Sequence, residues 1–113
     1  MRVPTAPQFA AAMARLPSPG GDQLAFLKEH LKSTGRASTA TKLAKAAGYK
    51  DFRGVNICYG RLARCIGGQL KRPDESLLLL VEFIAPRGVS NKDWVLVMRP
   101  EFAAGLKAAG WLR

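Results

Sequence analysis

The most constraining feature of this chain is the stretch from Ser38 to Gly67, where two amphipathic helical segments of unequal length flank a glycine. Ser38 and Thr39 are both favourable N-cap residues. In the segment that follows, Ala40, Leu43, Ala44 and Ala47 fall on one face while Lys42 and Lys45 point away from it, and Gly48 supplies a left-handed terminator. After the connector Tyr49-Lys50, Asp51 is placed to cap a longer helix running from Phe52 to about Gly67. At about 100° per residue, one side of that helix gathers Phe52, Val55, Cys58, Tyr59, Leu62, Cys65 and Ile66. The opposite side gathers Asn56, Ile57, Gly60, Arg61 and Arg64.

The flanking sequence supplies the rest of a small core. Thr5 to Leu16 predicts a short Ala-rich helix, and the breaker cluster Pro17 to Gly21 after it suggests a loosely attached arm. Asp22 is expected to cap a second helix carrying Leu24, Phe26, Leu27 and Leu31, with Gly35 as its end and His30 as a surface or packing residue. Further on, Ser76 to Ala85 and Trp94 to Met98 are apolar runs around loop residues Pro86 to Asn91, which predicts an antiparallel hairpin. The run Leu77 to Leu80 also suits a buried helix, but its paired partner and β-branched neighbours favour strand. Glu101 to Ala109 predicts a closing helix, with Pro100 at its first turn, Gly110 as its end and Trp111-Leu112 folded back.

This order predicts an α+β fold of winged helix-turn-helix type, with three to four helices, one antiparallel hairpin and a C-terminal helix. Residues 1–21 would form the N-terminal helix and its Pro/Gly linker, and 22–113 the domain proper. Ala44 provides the small residue where the second helix of the motif crosses, and Gly48 the turn. Gly54 falls where a regular motif carries a branched apolar residue, so Val55 is expected to take that role after a slightly longer turn.

Charge is distributed unevenly along the 113 residues. From Lys28 to Arg72 there are eleven basic residues and two acidic ones, whereas from Pro73 to Arg113 five of each cancel. The whole chain carries a formal +10, nearly all of it in the middle segment. A hydrophobic fraction of 48% marks a folded chain and not a disordered basic tail. Concentrated positive charge on a small folded unit favours a polyanionic partner, nucleic acid first. No apolar run reaches the roughly 18 residues of a membrane span. Pro4, Pro7 and Gln8 interrupt any signal-like apolar segment, which suggests a cytoplasmic protein with no membrane partner. Cys58 and Cys65 lie too far apart along one helix to bridge and read as reduced thiols. One His and two Cys supply too few ligands for a metal, and neither a paired carboxylate nor a phosphate-binding glycine loop points to catalysis or a cofactor.

The candidate nucleic-acid contacts therefore lie on the helix pair. Asn56 suits an adenine edge, Arg53, Arg61 and Arg64 suit guanine O6 and N7, and Lys42, Lys45 and Lys50 suit phosphates. Tyr59 and Gly60 join this set. Gly60 costs a helix about 0.5–1 kcal/mol relative to Ala. It either allows close backbone approach or merely weakens the helix. Arg87, Asn91 and Lys92 in the hairpin loop would form a wing.

The string Gly48 to Leu62 (GYKDFRGVNICYGRL), with the later MRPEF, resembles an accessory module of bacterial HNH restriction-type endonucleases and related mobile-element proteins. The resemblance covers most of residues 36–112 and implies a DNA-binding module, with Asn56, Tyr59, Gly60 and the flanking bases at matching positions. It implies no catalysis, because the His-Asn-His nuclease residues are missing. Two functions follow: a non-catalytic protein binding double-stranded DNA, possible as a homodimer, or a small phage-type inhibitor of a host nucleoprotein defence complex, of the anti-CRISPR kind. A tyrosine-based DNA enzyme built on Tyr49 or Tyr59 is a third class.

Overall fold

The structure is a computed structural model that describes residues 2–72, 76–85, 88 and 94–112. Among the described residues five α-helices pack around a three-stranded antiparallel sheet, so the fold is α+β. In chain order the elements are α1 (Ala6–Ala14), α2 (Gly21–Lys32), β1 (Ala37–Thr39), α3 (Ala40–Ala47), α4 (Phe52–Gln69), β2 (Val81–Ile84), β3 (Val95–Met98) and α5 (Pro100–Ala108). No helix of the described residues is long and apolar enough to cross a membrane.

The N-terminal helix is part of the core and not a loose arm. Thr5 caps it reciprocally with Gln8, the Thr5 hydroxyl accepting from the Gln8 N–H and the Gln8 side chain accepting from the Thr5 N–H. Phe9 and Met13 are wholly buried, and the Phe9 ring lies 5.5 Å from that of Phe102 on α5. Gly105 makes this contact possible: a Cβ there would sit 2.6 Å from Phe9 Cβ, so only glycine lets α5 approach α1 this closely. The Pro17 to Gly21 cluster turns the chain between two packed helices instead of loosening it.

Three local expectations change. Gly20, not Asp22, is the N-cap of α2, and the Asp22 side chain is engaged elsewhere. That helix stops at Ser33, which turns extended, and Gly35 serves the following 3-10 turn with φ 65°. The segment Leu77–Leu79 is also a 3-10 turn, capped by the Ser76 hydroxyl, and the strand begins only at Val81.

The hairpin proves to be two thirds of a sheet. The strand order is β1-β3-β2, with Ala37 opposite Val97, Thr39 opposite Val95, and Val81 opposite Met98. The first strand is three residues long, too short for alternation to mark it, and exists because β3 offers a second edge. Thr39 keeps its expected role, its hydroxyl accepting from the Lys42 N–H at 3.2 Å to start α3. At the C-terminus Gly110 adopts φ 77° and returns Leu112 to the core. The loop positions Arg87, Asn91 and Lys92 assigned to a wing lie outside the described residues.

Candidate nucleic-acid interface

The turn between α3 and α4 follows from three residues. Gly48 is left-handed, the Tyr49 N–H returns to the Ala44 carbonyl at 2.9 Å, and Asp51 caps α4 by accepting from the Arg53 N–H at 2.9 Å. Ala44 is 2% exposed, and α3 packs directly on α4. Val55 is wholly buried and takes the apolar position that Gly54 leaves vacant. Gly54 has its own reason: a Cβ there would lie 3.0 Å from the Tyr49 ring.

Tyr49 ties this turn to α2. Its hydroxyl donates to Asp22 Oδ2 at 2.8 Å, and its ring packs 6.1 Å from that of Phe26. Because that O–H is committed to a carboxylate, the contact at 3.4 Å with Cys58 Sγ has the thiol as donor. Burial, then the Cys58 and Asp22 contacts, raise the Tyr49 phenol far above its ordinary range. The hydrogen bond from Tyr49 holds the Asp22 carboxyl below its own.

A second tie fixes the middle of α4. Tyr59 is wholly buried, and its hydroxyl lies 2.6 Å from His30 Nδ1. The other ring nitrogen of His30, Nε2, lies 2.8 Å from the Leu96 carbonyl of β3. A carbonyl only accepts, so Nε2 carries the proton, Nδ1 accepts, and Tyr59 donates. Burial pushes the His30 pKa below its ordinary value, against a smaller opposing effect of the Leu96 carbonyl. The Tyr59 phenol is raised by burial. One buried chain of hydrogen bonds thus joins α2, α4 and the sheet. Tyr59 therefore leaves the set of contact residues, since neither its ring nor its hydroxyl reaches the surface. Cys65, expected on the buried side, is exposed, and Ala63 is buried in that layer.

The outward side of α4 has the opposite character. Arg53, Ile57, Arg61 and Arg64 are exposed, Gly60 is half-buried among them, and Lys42, Lys45 and Lys50 are exposed on α3 and the turn. The ion pairs among the described residues, Lys32 with Glu29 and Arg99 with Glu82, lie on α2 and around the sheet. No described acidic side chain pairs with Arg53, Arg61 or Arg64. The Arg53 guanidinium sits 6.0 Å from the centre of the Phe52 ring. By contrast, Arg36 is used within the fold, its Nε donating to the Met98 carbonyl.

Asn56 is only half in place. Its Oδ1 is buried without a hydrogen-bond partner, so the bidentate adenine pairing expected of it requires the side chain to rotate outward. Beside this face, an apolar cleft of about 180 Å³ lies between the α1–α2 connection, α4 and Trp111, with Arg61 and Cys65 in its wall. Sequence reasoning missed both tyrosine ties. Only the improbability of a buried, unpaired histidine hints at the one made by His30.

Compared with protein-family models, curated proteins and solved structures, the chain matches none.

Proposed function

We propose that this chain is a non-catalytic protein that binds double-stranded DNA, with α4 laid in the major groove and Lys42, Lys45 and Lys50 on the flanking phosphates. The observation that carries this reading is the outward face of α4, where Arg53, Arg61 and Arg64 stand exposed with no described acidic partner. A stabilising surface helix would interleave acids at i,i+4 spacing, and from Phe52 to Gln69 there is not one acid. The order α2, β1, α3, α4, β2, β3 supports a winged helix-turn-helix reading, with α3 and α4 as the motif pair. The two free thiols suit a reducing, cytoplasmic setting.

Fluorescence anisotropy with a labelled duplex of about 20 bp over a series of salt concentrations tests this reading. Each phosphate contact adds about −0.9 to the slope of log K against log salt. Binding that weakens steeply with salt is the expected result. Binding that is absent, or indifferent to salt, contradicts it, and preferential capture of a large nucleoprotein complex over free duplex would favour the inhibitor function instead.

A further inference from the structure

Ile57 is 54% exposed at the centre of the basic face. Arg53 precedes it by four residues, Gly60 and Arg61 follow it by three and four, and Arg64 lies two turns on, so all are its neighbours on the helix surface. A single exposed isoleucine is unremarkable elsewhere on a protein, as Leu78 and Ile84 are here. At this position two choices run against helix stability together. Ile57 is a β-branched residue that is more than half exposed and stands outside the apolar core, and one turn away Gly60 has no atom of another element within 4 Å of where a Cβ would stand. Neither is explained by the chain's own packing. Both suit a surface that approaches the helix backbone closely and carries an apolar spot ringed by hydrogen-bond acceptors.

The major groove of B-DNA presents such a surface. Its base edges offer acceptors to arginine, and its one apolar group is the C5-methyl of a pyrimidine. Resting on the DNA-binding function proposed above, we propose that Ile57 is a specificity-determining residue that packs on a pyrimidine C5-methyl, with Gly60 allowing the approach. The methyl belongs to thymine or to 5-methylcytosine. RNA duplexes are not candidates, because their major groove is too deep and narrow for a helix and uracil lacks the methyl.

Alternating copolymer duplexes test this without knowledge of a preferred sequence. Poly(dA-dT) is compared with poly(dA-dU), and poly(dG-dC) with its 5-methylcytosine counterpart, at one salt concentration. The intact protein is expected to bind the methylated member of at least one pair about three- to five-fold more tightly, the worth of one buried methyl. A gain in the first pair alone assigns thymine, and a gain in both assigns the methyl whichever base carries it. Ile57→Ala, a truncation at an exposed site, should bring that ratio close to one, while Arg64→Ala should weaken both members alike and leave the ratio intact. Duplex binding with no methyl preference in either pair, or a preference that survives Ile57→Ala, overturns the assignment of Ile57 and leaves DNA binding standing. Failure to bind any of the four duplexes overturns the DNA-binding function itself, and Ile57 with it.

Discussion

The two sides of α4 face opposite requirements and meet them in opposite ways. On the inner side the Tyr59 hydroxyl donates a hydrogen bond to His30 Nδ1, and His30 Nε2–H donates one to the Leu96 carbonyl, so the polar groups of this contact are satisfied inside the fold. On the outer side three arginines and an isoleucine stand exposed around a glycine, and no described acidic side chain pairs with the arginines. Burying a polar group costs stability unless it is hydrogen-bonded, so the inner arrangement is dictated by folding. The outer arrangement carries a cost that folding does not explain. The difference separates what holds the helix from what the helix holds out.

That separation can be broken first at His30. Replacing His30 by Ala opens a cavity and strands both the Tyr59 hydroxyl and the Leu96 carbonyl, so the fold should lose about 3–4 kcal/mol in urea unfolding. An effect below about 1 kcal/mol would mean that α4 is held by its apolar contacts alone. Acid should act through the same group. Because the folded-state pKa of His30 lies below the ordinary value near 6.5, the unfolded chain takes up the proton more readily. The stability due to neutral His30 is thus complete above about pH 6.5 and is lost as pH falls from there toward the lower folded-state pKa. In His30→Ala this portion of the acid sensitivity should vanish, which thermal melts across pH 7.5 to 4.5 would show.

The smallest expected effect comes from the outer side. Gly60→Ala should raise stability by about 0.5–1 kcal/mol, since a helical glycine is replaced where no neighbouring element obstructs a Cβ. Duplex affinity should fall in the same variant. A gain in stability with unchanged affinity would show that nothing approaches the helix at Gly60.

Much of the fold was legible from periodicity and caps. Helices α3, α4 and α5, the glycine at the α3–α4 turn, the Asp51 cap and the pairing of β2 with β3 followed from residue patterns that act over a few positions. The errors arose where distant partners decide the outcome. The short β1 is defined by an edge of β3 almost sixty residues away, and α1 is drawn into the core by Gly105 on the last helix. Asp22 looked like a cap because its proper partner, Tyr49, is 27 positions distant. For the candidate site, arginines and lysines were readable as an outward face because charge excludes them from a core. Helical periodicity put Tyr59 on the apolar side of α4, where it is indeed buried, but its hydroxyl's partner, His30, lies 29 positions away and was not readable, which left Tyr59 in the contact set as well.

Arg99 and Lys107 look alike in sequence as bases remote from the candidate face, but Arg99 binds the Leu78 carbonyl and Glu82. Lys107, exposed on α5, is the proper control. The salt dependence of duplex binding by the Arg61→Ala/Arg64→Ala variant is therefore the decisive measurement, with Lys107→Ala alongside it. If both arginines face phosphates or bases, affinity should fall at least ten-fold. For two phosphate contacts the slope of log K against log salt should become shallower by about 1.8, with Lys107→Ala close to the parent. A double variant that binds with the parent's affinity and slope, or a loss matched by Lys107→Ala, would contradict a DNA-binding face on α4.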